Sequence, residues 1–190
     1  MKQFYFLISA LIVASISGCD SKQDIEPVSE LPEYTLTRVI RSPKPSTKLD
    51  SVARNYTSAE LKMKLGKVYY VNIPDKEYLY LDIVAVNRRD SIRINLPTAS
   101  LQRDWVGTYG FYGDACATCK AQWSHVYHPE NTTNVQWILS GWFDVIGNLT
   151  ITRYDVNRAI SGHFSAKHYG LSSYKEVEVT GTFTNLPLPK

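Results

Sequence analysis

Alternation of apolar and polar residues, renewed roughly every ten residues from Lys67 to Leu186, is the feature that most constrains this chain. Successive side chains of a strand point to opposite faces, so a period of two marks a sheet with one buried face. Residues 78–86 set Leu79, Leu81, Ile83 and Ala85 on one face, and 91–96 align Ile92, Ile94 and Leu96. Residues 175–186 set Val177, Val179, Gly181 and Phe183 against Glu176, Glu178, Thr180 and Thr182. Further runs lie at 67–73, 106–113, 121–128, 134–143, 148–154 and 159–168. Turn-forming residues separate them at Pro74-Asp75, Asn87–Asp90 and Asp155–Asn157. The spacing predicts an all-β domain, an antiparallel meander of about 9–10 strands closing as a sandwich or barrel. One short helix is the most it leaves room for, at Thr57–Leu65, where Thr57-Ser58 suits an N-cap. Aromatic residues make up 12% of the chain, which agrees with strands, and 44% apolar against 21% charged residues excludes a disordered chain.

The N-terminus reads differently. Lys2 precedes an apolar run, Phe4–Ile16, that as a helix would reach only about 20 Å, short of a hydrocarbon core. A charged start, a short apolar stretch and small residues after it describe a secretory signal. Ile16-Ser17-Gly18-Cys19 resembles the bacterial lipobox, in which the cysteine is acylated and becomes the first mature residue. The expected division is a signal peptide at 1–18, an acidic tether at 19–34 and one β domain at 35–190. The expected partner is a lipid bilayer reached through Cys19. Asp20–Glu33 carries five acidic residues, one Lys and two Pro, the composition of an extended tether. From Thr35 to Lys76 the sign reverses, with nine Lys and Arg against three Asp and Glu. That asymmetry reads as a solvated face or as a contact for an anionic partner such as lipid headgroups or glycan. Nothing resembles a nucleic-acid module.

Gly147-Asn-Leu-Thr-Ile-Thr-Arg-Tyr-Asp155, Ile160-Ser-Gly-His-Phe164-Ser-Ala166 and Val177-Glu-Val-Thr-Gly-Thr-Phe183 form a connected pattern. With Val106-Gly-Thr-Tyr-Gly110 and the lipobox, it resembles a family of uncharacterised Bacteroidetes lipoproteins over about residues 65–186. The resemblance implies an envelope location at the outer membrane. Its motifs are strand and turn motifs. Leu149 and Ile151 are expected inside, Thr150 and Thr152 outside, and Gly162 at a bulge or under an aromatic ring such as Phe164 or Phe183.

Cys116-Ala-Thr-Cys119 is the sharpest local chemistry. In an oxidising compartment a disulfide is its first reading. The alternative adds His125 and His128 as zinc ligands, which needs a bend at Tyr127-His128-Pro129 because residues three apart on a strand face opposite ways. Asp82 and Asp144 read as outward strand residues rather than a catalytic pair, and His163 as exposed. Asp50-Ser51-Val52 and Asp90-Ser91-Ile92 fit a three-residue O-glycosylation acceptor at Ser51 and Ser91. The remaining route is aromatic. Trp105, Tyr109, Tyr112, Trp123 and Trp142 fall close together and are candidates to contact a sugar ring or an apolar ligand, or simply fill a core. The expectation is an envelope lipoprotein acting as a non-enzymatic binding or structural module without a cofactor. Its rivals are a calycin-like carrier with an aromatic-lined barrel and an envelope enzyme acting on glycan.

Overall fold

The computed structural model describes residues 31–41, 52–69, 77–86, 89–98, 105–111, 121–128, 136–139, 144–169 and 175–189. Its elements are strands: β1 (Glu33–Arg41), β2 (Val52–Thr57), β3 (Leu61–Tyr69), β4 (Glu77–Ala85), β5 (Asp90–Pro97), β6 (Gly107–Gly110), β7 (Gln122–Tyr127), β8 (Gln136–Leu139), β9 (Val145–Asp155), β10 (Ala159–Tyr169) and β11 (Glu176–Pro187). They form two antiparallel sheets, one ordered β2-β1-β11-β10-β9-β6 and the other β3-β4-β5-β7-β8. Of two meanders, β9-β10-β11 supplies the middle of the six-stranded sheet and β3-β4-β5 runs from an edge of the five-stranded sheet to its centre. The chain's first strand lies against its last, with Tyr34 opposite Phe183 and Ile40 opposite Val177.

The inward residues expected from alternation are inside. Leu79, Leu81, Ile83, Ala85, Ile92, Ile94, Leu96, Val177, Val179 and Phe183 are all buried. Each of these except Ala85 contributes about 1.5–3 kcal/mol by leaving water. His163, Asp144 and Thr152 are exposed, and Asp82 lies on the outer face. The expected helix at Thr57–Leu65 is instead a turn followed by a strand. Glu60 N donates to Thr57 O at 2.9 Å, after which Leu61 opposite Ala85 begins a nine-residue strand. Leu61 and Leu65 reach the core with Met63 packed against it, a two-residue period that a helix could not satisfy. The turn joins the two sheets. The sheet also gains β1 and β2, in a region where charge rather than alternation dominates the sequence, and β1 starts two residues before the expected domain boundary.

Gly162 sits where the pairing register of β10 shifts. A Cβ there would come within 2.1 Å of Thr150 O and 2.8 Å of Phe183 Cζ. At Gly181 a Cβ would lie 2.3 Å from Phe164 Cζ. Each glycine makes room for a ring from the neighbouring strand, as expected for Gly162.

Candidate functional site

Between the sheets, one group of inward positions is polar. On β1 the inward series is Leu36, Arg38, Ile40, and on β10 it is Phe164, Ala166, His168. On β5 it is Asp90, Ile92, Ile94, and on β7 Trp123, His125, Tyr127. Arg38, Asp90, His125 and His168 are each 0% exposed. Asp90 Oδ1 accepts from Arg38 Nη1 at 2.8 Å and from His125 Nε2 at 2.9 Å, while Oδ2 accepts from Tyr56 Oη at 2.7 Å. With Nε2–H of His125 donated to the carboxylate, its Nδ1 accepts from His168 Nε2–H at 3.1 Å. His168 Nδ1 ends the series without a hydrogen-bond partner among the described residues. The Tyr127 ring lies 4.8 Å from the His125 ring and 5.4 Å from the Arg38 guanidinium carbon.

The network joins the sheets. Arg38, Tyr56 and His168 come from one, Asp90, His125 and Tyr127 from the other. Burial alone would push the Asp90 carboxyl up. The hydrogen bond from His125, the charge of Arg38 and the Tyr56 hydroxyl outweigh it and hold Asp90 below the usual carboxylate range. Burial, helped by Arg38, lowers His125 despite Asp90. Burial and then the neighbouring His125 push His168 down to about 3, with the Tyr169 backbone opposing weakly. Burial raises the hydroxyls of Tyr56 and Tyr127 to about 12. One carboxylate and one guanidinium therefore balance inside the core, and both imidazoles are neutral. The series Asp90–His125–His168 can pass a proton along itself, but among the described residues no hydroxyl or thiol nucleophile is bonded to either ring.

Of the residues singled out in the sequence, His125 lies in this network, with Nε2 on Asp90 and Nδ1 on His168. His128 is half-buried beyond the end of β7. Trp123 is a core residue at 0% exposure, packed on Phe111 at 5.1 Å and Phe164 at 6.0 Å. Tyr109 is also buried, its hydroxyl donating to Trp105 O at 2.9 Å. Trp105 stays half-buried and stacks on Tyr154 at 4.8 Å. Its φ of 57° is unfavourable for so bulky a residue, and the Tyr109 bond and Tyr154 stack hold it there. Asp90 of the expected glycosylation motif points inside, and Ser91 outside. Cys19, Ser51, Tyr112, Cys116, Cys119 and Trp142 lie outside the described residues. On either side of residues 112–120, Ala121 N donates to Gly110 O at 3.1 Å and Phe111 forms a bridge with Ala121.

Arg38, Tyr56, Asp90 and His168 were not singled out by the sequence. Their signal is positional: each occupies the inward parity of an alternating strand.

The outer face of the six-stranded sheet differs from that network. Across its strands run Thr57, Thr35, Thr182, His163, Thr150 and Thr108 as one row. Asn55, Thr37, Thr180, Ser165 and Asn148 form the next. Thr35 and Thr182 hydroxyls lie 2.7 Å apart, and those of Thr108 and Thr150 3.1 Å apart. Charge begins one row further on, where Arg41 pairs with Glu176 and Glu178, and Lys167 with Glu176 at 2.7 Å.

Comparison with known proteins returns no matching family model, no matching curated protein and no matching solved structure.

Proposed function

We propose that this chain is a membrane-anchored lipoprotein of the bacterial envelope, held by acylated Cys19, that works as a non-enzymatic binding module through the outside of its sandwich. The observation that carries the binding-module reading is how the interior is filled. Among the described residues, the space bounded by Leu81, Ile94, Leu149 and Phe183 is about 10 Å³, room for one water at most. Small-molecule sites run to hundreds of Å³, so this packing speaks for the outer surface over the carrier reading. The uncharged hydroxyl and amide rows of the six-stranded sheet suit a glycan, which offers the same neutral donors and acceptors.

The anchor is tested by palmitate labelling and fractionation of the native protein and of Cys19→Ala. The native chain should carry label and sediment with membranes, and the variant should lose both. An unlabelled native chain in the soluble fraction overturns the anchor. For the glycan, Thr182→Lys should weaken retention on immobilised envelope polysaccharide. Retention equal to the native protein removes that face from the proposal.

A further inference from the structure

β3 is the first strand in the order of the five-stranded sheet, so among the described residues it is paired on its β4 side alone. Val86 N donates to Glu60 O at 2.8 Å, one step before Leu61 lies opposite Ala85. Hydrogen-bonded pairs alternate with unbonded ones along an antiparallel ladder. Lys62, Lys64 and Gly66 therefore bond to β4, and Leu61, Met63 and Leu65 turn their N–H and C=O groups away from it. Side chains alternate with the same period. Leu61, Met63 and Leu65 face the core, Met63 less covered than the leucines, and Lys62 and Lys64 stand on the outer face. Same-facing residues of a strand are about 6.8 Å apart. The edge thus repeats one unit, a backbone donor and acceptor followed by an outward cation.

The β4 side does not use those cations. Lys62 lies opposite Val84. Lys64 lies opposite Asp82, which Arg93 grips through two bonds of 2.6 and 2.8 Å. Lys62 and Lys64 are exposed and have no ion-pair partner among the described residues. Further along the strand, Lys67 pairs with Glu77 at 3.1 Å. Lysines on an edge oppose pairing with a strand of like charge. A second β3 would set lysines against lysines, so this edge resists a copy of itself. It admits a strand of the opposite sign. An extended polypeptide offers backbone groups and side-chain carboxylates at the same repeat as the edge, which a glycan or a lipid headgroup does not.

We propose that β3 takes an acidic extended peptide of another protein as an added antiparallel strand, with acids at every second position. The acids meet Lys62 and Lys64 on the outer face. The residues between them pair their N–H and C=O groups with Leu61, Met63 and Leu65 and lay apolar side chains over Met63. Antiparallel pairing continues the pattern of β3, β4 and β5 and is the more stable arrangement per residue. Backbone bonds supply affinity in such strand addition, and the alternate side chains supply specificity. The edge lies on the sheet opposite the hydroxyl rows, so this contact does not depend on the glycan reading.

The probe is a fluorescent peptide, Thr-Val-Glu-Val-Glu-Val-Thr, titrated with the native chain in detergent and read by anisotropy. It should bind, and about 1 M salt, where the screening length is about 3 Å, should release it. The same peptide with Lys in place of Glu should not bind. Lys62→Glu combined with Lys64→Glu, both at exposed positions, should exchange the two preferences, and the binding gained for the lysine peptide reports a folded edge. N-methylation of the valine amides removes the donors that face β3 and no charge, and should abolish binding. N-methylation of the glutamate amides, which face away, should leave it. A native chain that ignores the acidic peptide overturns the proposal. So does binding that survives the charge reversal or the valine methylation, which would be attraction to a charged face without an added strand. Dimers of the native chain that the charge reversal abolishes would make a second copy the occupant, and overturn it as well.

Discussion

In one region of the sandwich Leu81, Ile94, Leu149 and Phe183 close around about 10 Å³ of free space. In another, the same inward register holds Arg38, Asp90, His125 and His168, each 0% exposed. Both regions are inside one core, and both are formed by β5 and strands of the opposite sheet. They differ in what keeps them together. The apolar region is held by surface removed from water, which is indifferent to pH and tolerant in direction. The polar region is held by a chain of donors and acceptors that ends at His168 Nδ1, where loss of one partner strands the others without water. The two sheets are thus matched at the network by identity and elsewhere by shape.

The largest expected effect breaks the polar region. Asp90→Asn leaves the Arg38 charge buried without its counter-ion, and should cost about 3–5 kcal/mol in denaturant unfolding. Replacing Arg38, Tyr56, Asp90, His125 and His168 together by apolar residues of similar volume should recover most of that loss, because a buried ion pair is often no more stable than well-packed hydrophobes. Recovery would show that the network specifies how the sheets meet more than it stabilises them. In the apolar region Leu81→Ala should cost about 2–5 kcal/mol, the same at every pH. Smaller again is Gly181→Ala, whose Cβ meets the Phe164 ring at 2.3 Å; about 1–3 kcal/mol is expected, and Phe164→Leu in the same chain should relieve part of it. The smallest is Thr182→Val on the outer hydroxyl row, within about 0.5 kcal/mol by thermal melting.

The apolar region was legible in the sequence, and the polar one was not. Leu79, Leu81 and Ile83, or Val177 and Val179, announce their face by alternation, so the fold class and most strands follow. β1 and β2 were hidden because their inward positions include Arg38 and their outward ones Thr35 and Thr37, which blunts the apolar contrast. Thr57–Leu65 imitates a helix start because Thr57 and Glu60 do interact, but at a turn between sheets. Asp90 reads locally as a turn residue beside Arg88 and Arg89. Only its three partners, brought from 34 to 52 residues away, make it a core residue. Long-range pairing of this kind leaves no local trace beyond parity. The aromatic excess divided likewise: Trp123 fills the core, while Trp105 stays half-buried on Tyr154.

The pH dependence of unfolding tests the sealed network most directly. Folding lowers both histidines below their ordinary value, His168 to about 3. Between the folded and unfolded values the unfolded chain binds more protons, so their contribution is fully present above about pH 6.5 and is lost as pH falls. His168 alone should make stability fall below about pH 6.5 with a slope approaching about 1.4 kcal/mol per pH unit, and the lowered His125 steepens it. His168→Leu should flatten that slope, and Leu81→Ala should leave it unchanged. Urea unfolding followed from about pH 7.5 to about pH 4.5 reads all three. The slope should be steep in the native chain and in Leu81→Ala and shallower in His168→Leu; stability that stays level from about pH 7 to about pH 5, or a slope untouched by His168→Leu, would mean the two imidazoles are not sealed in the core.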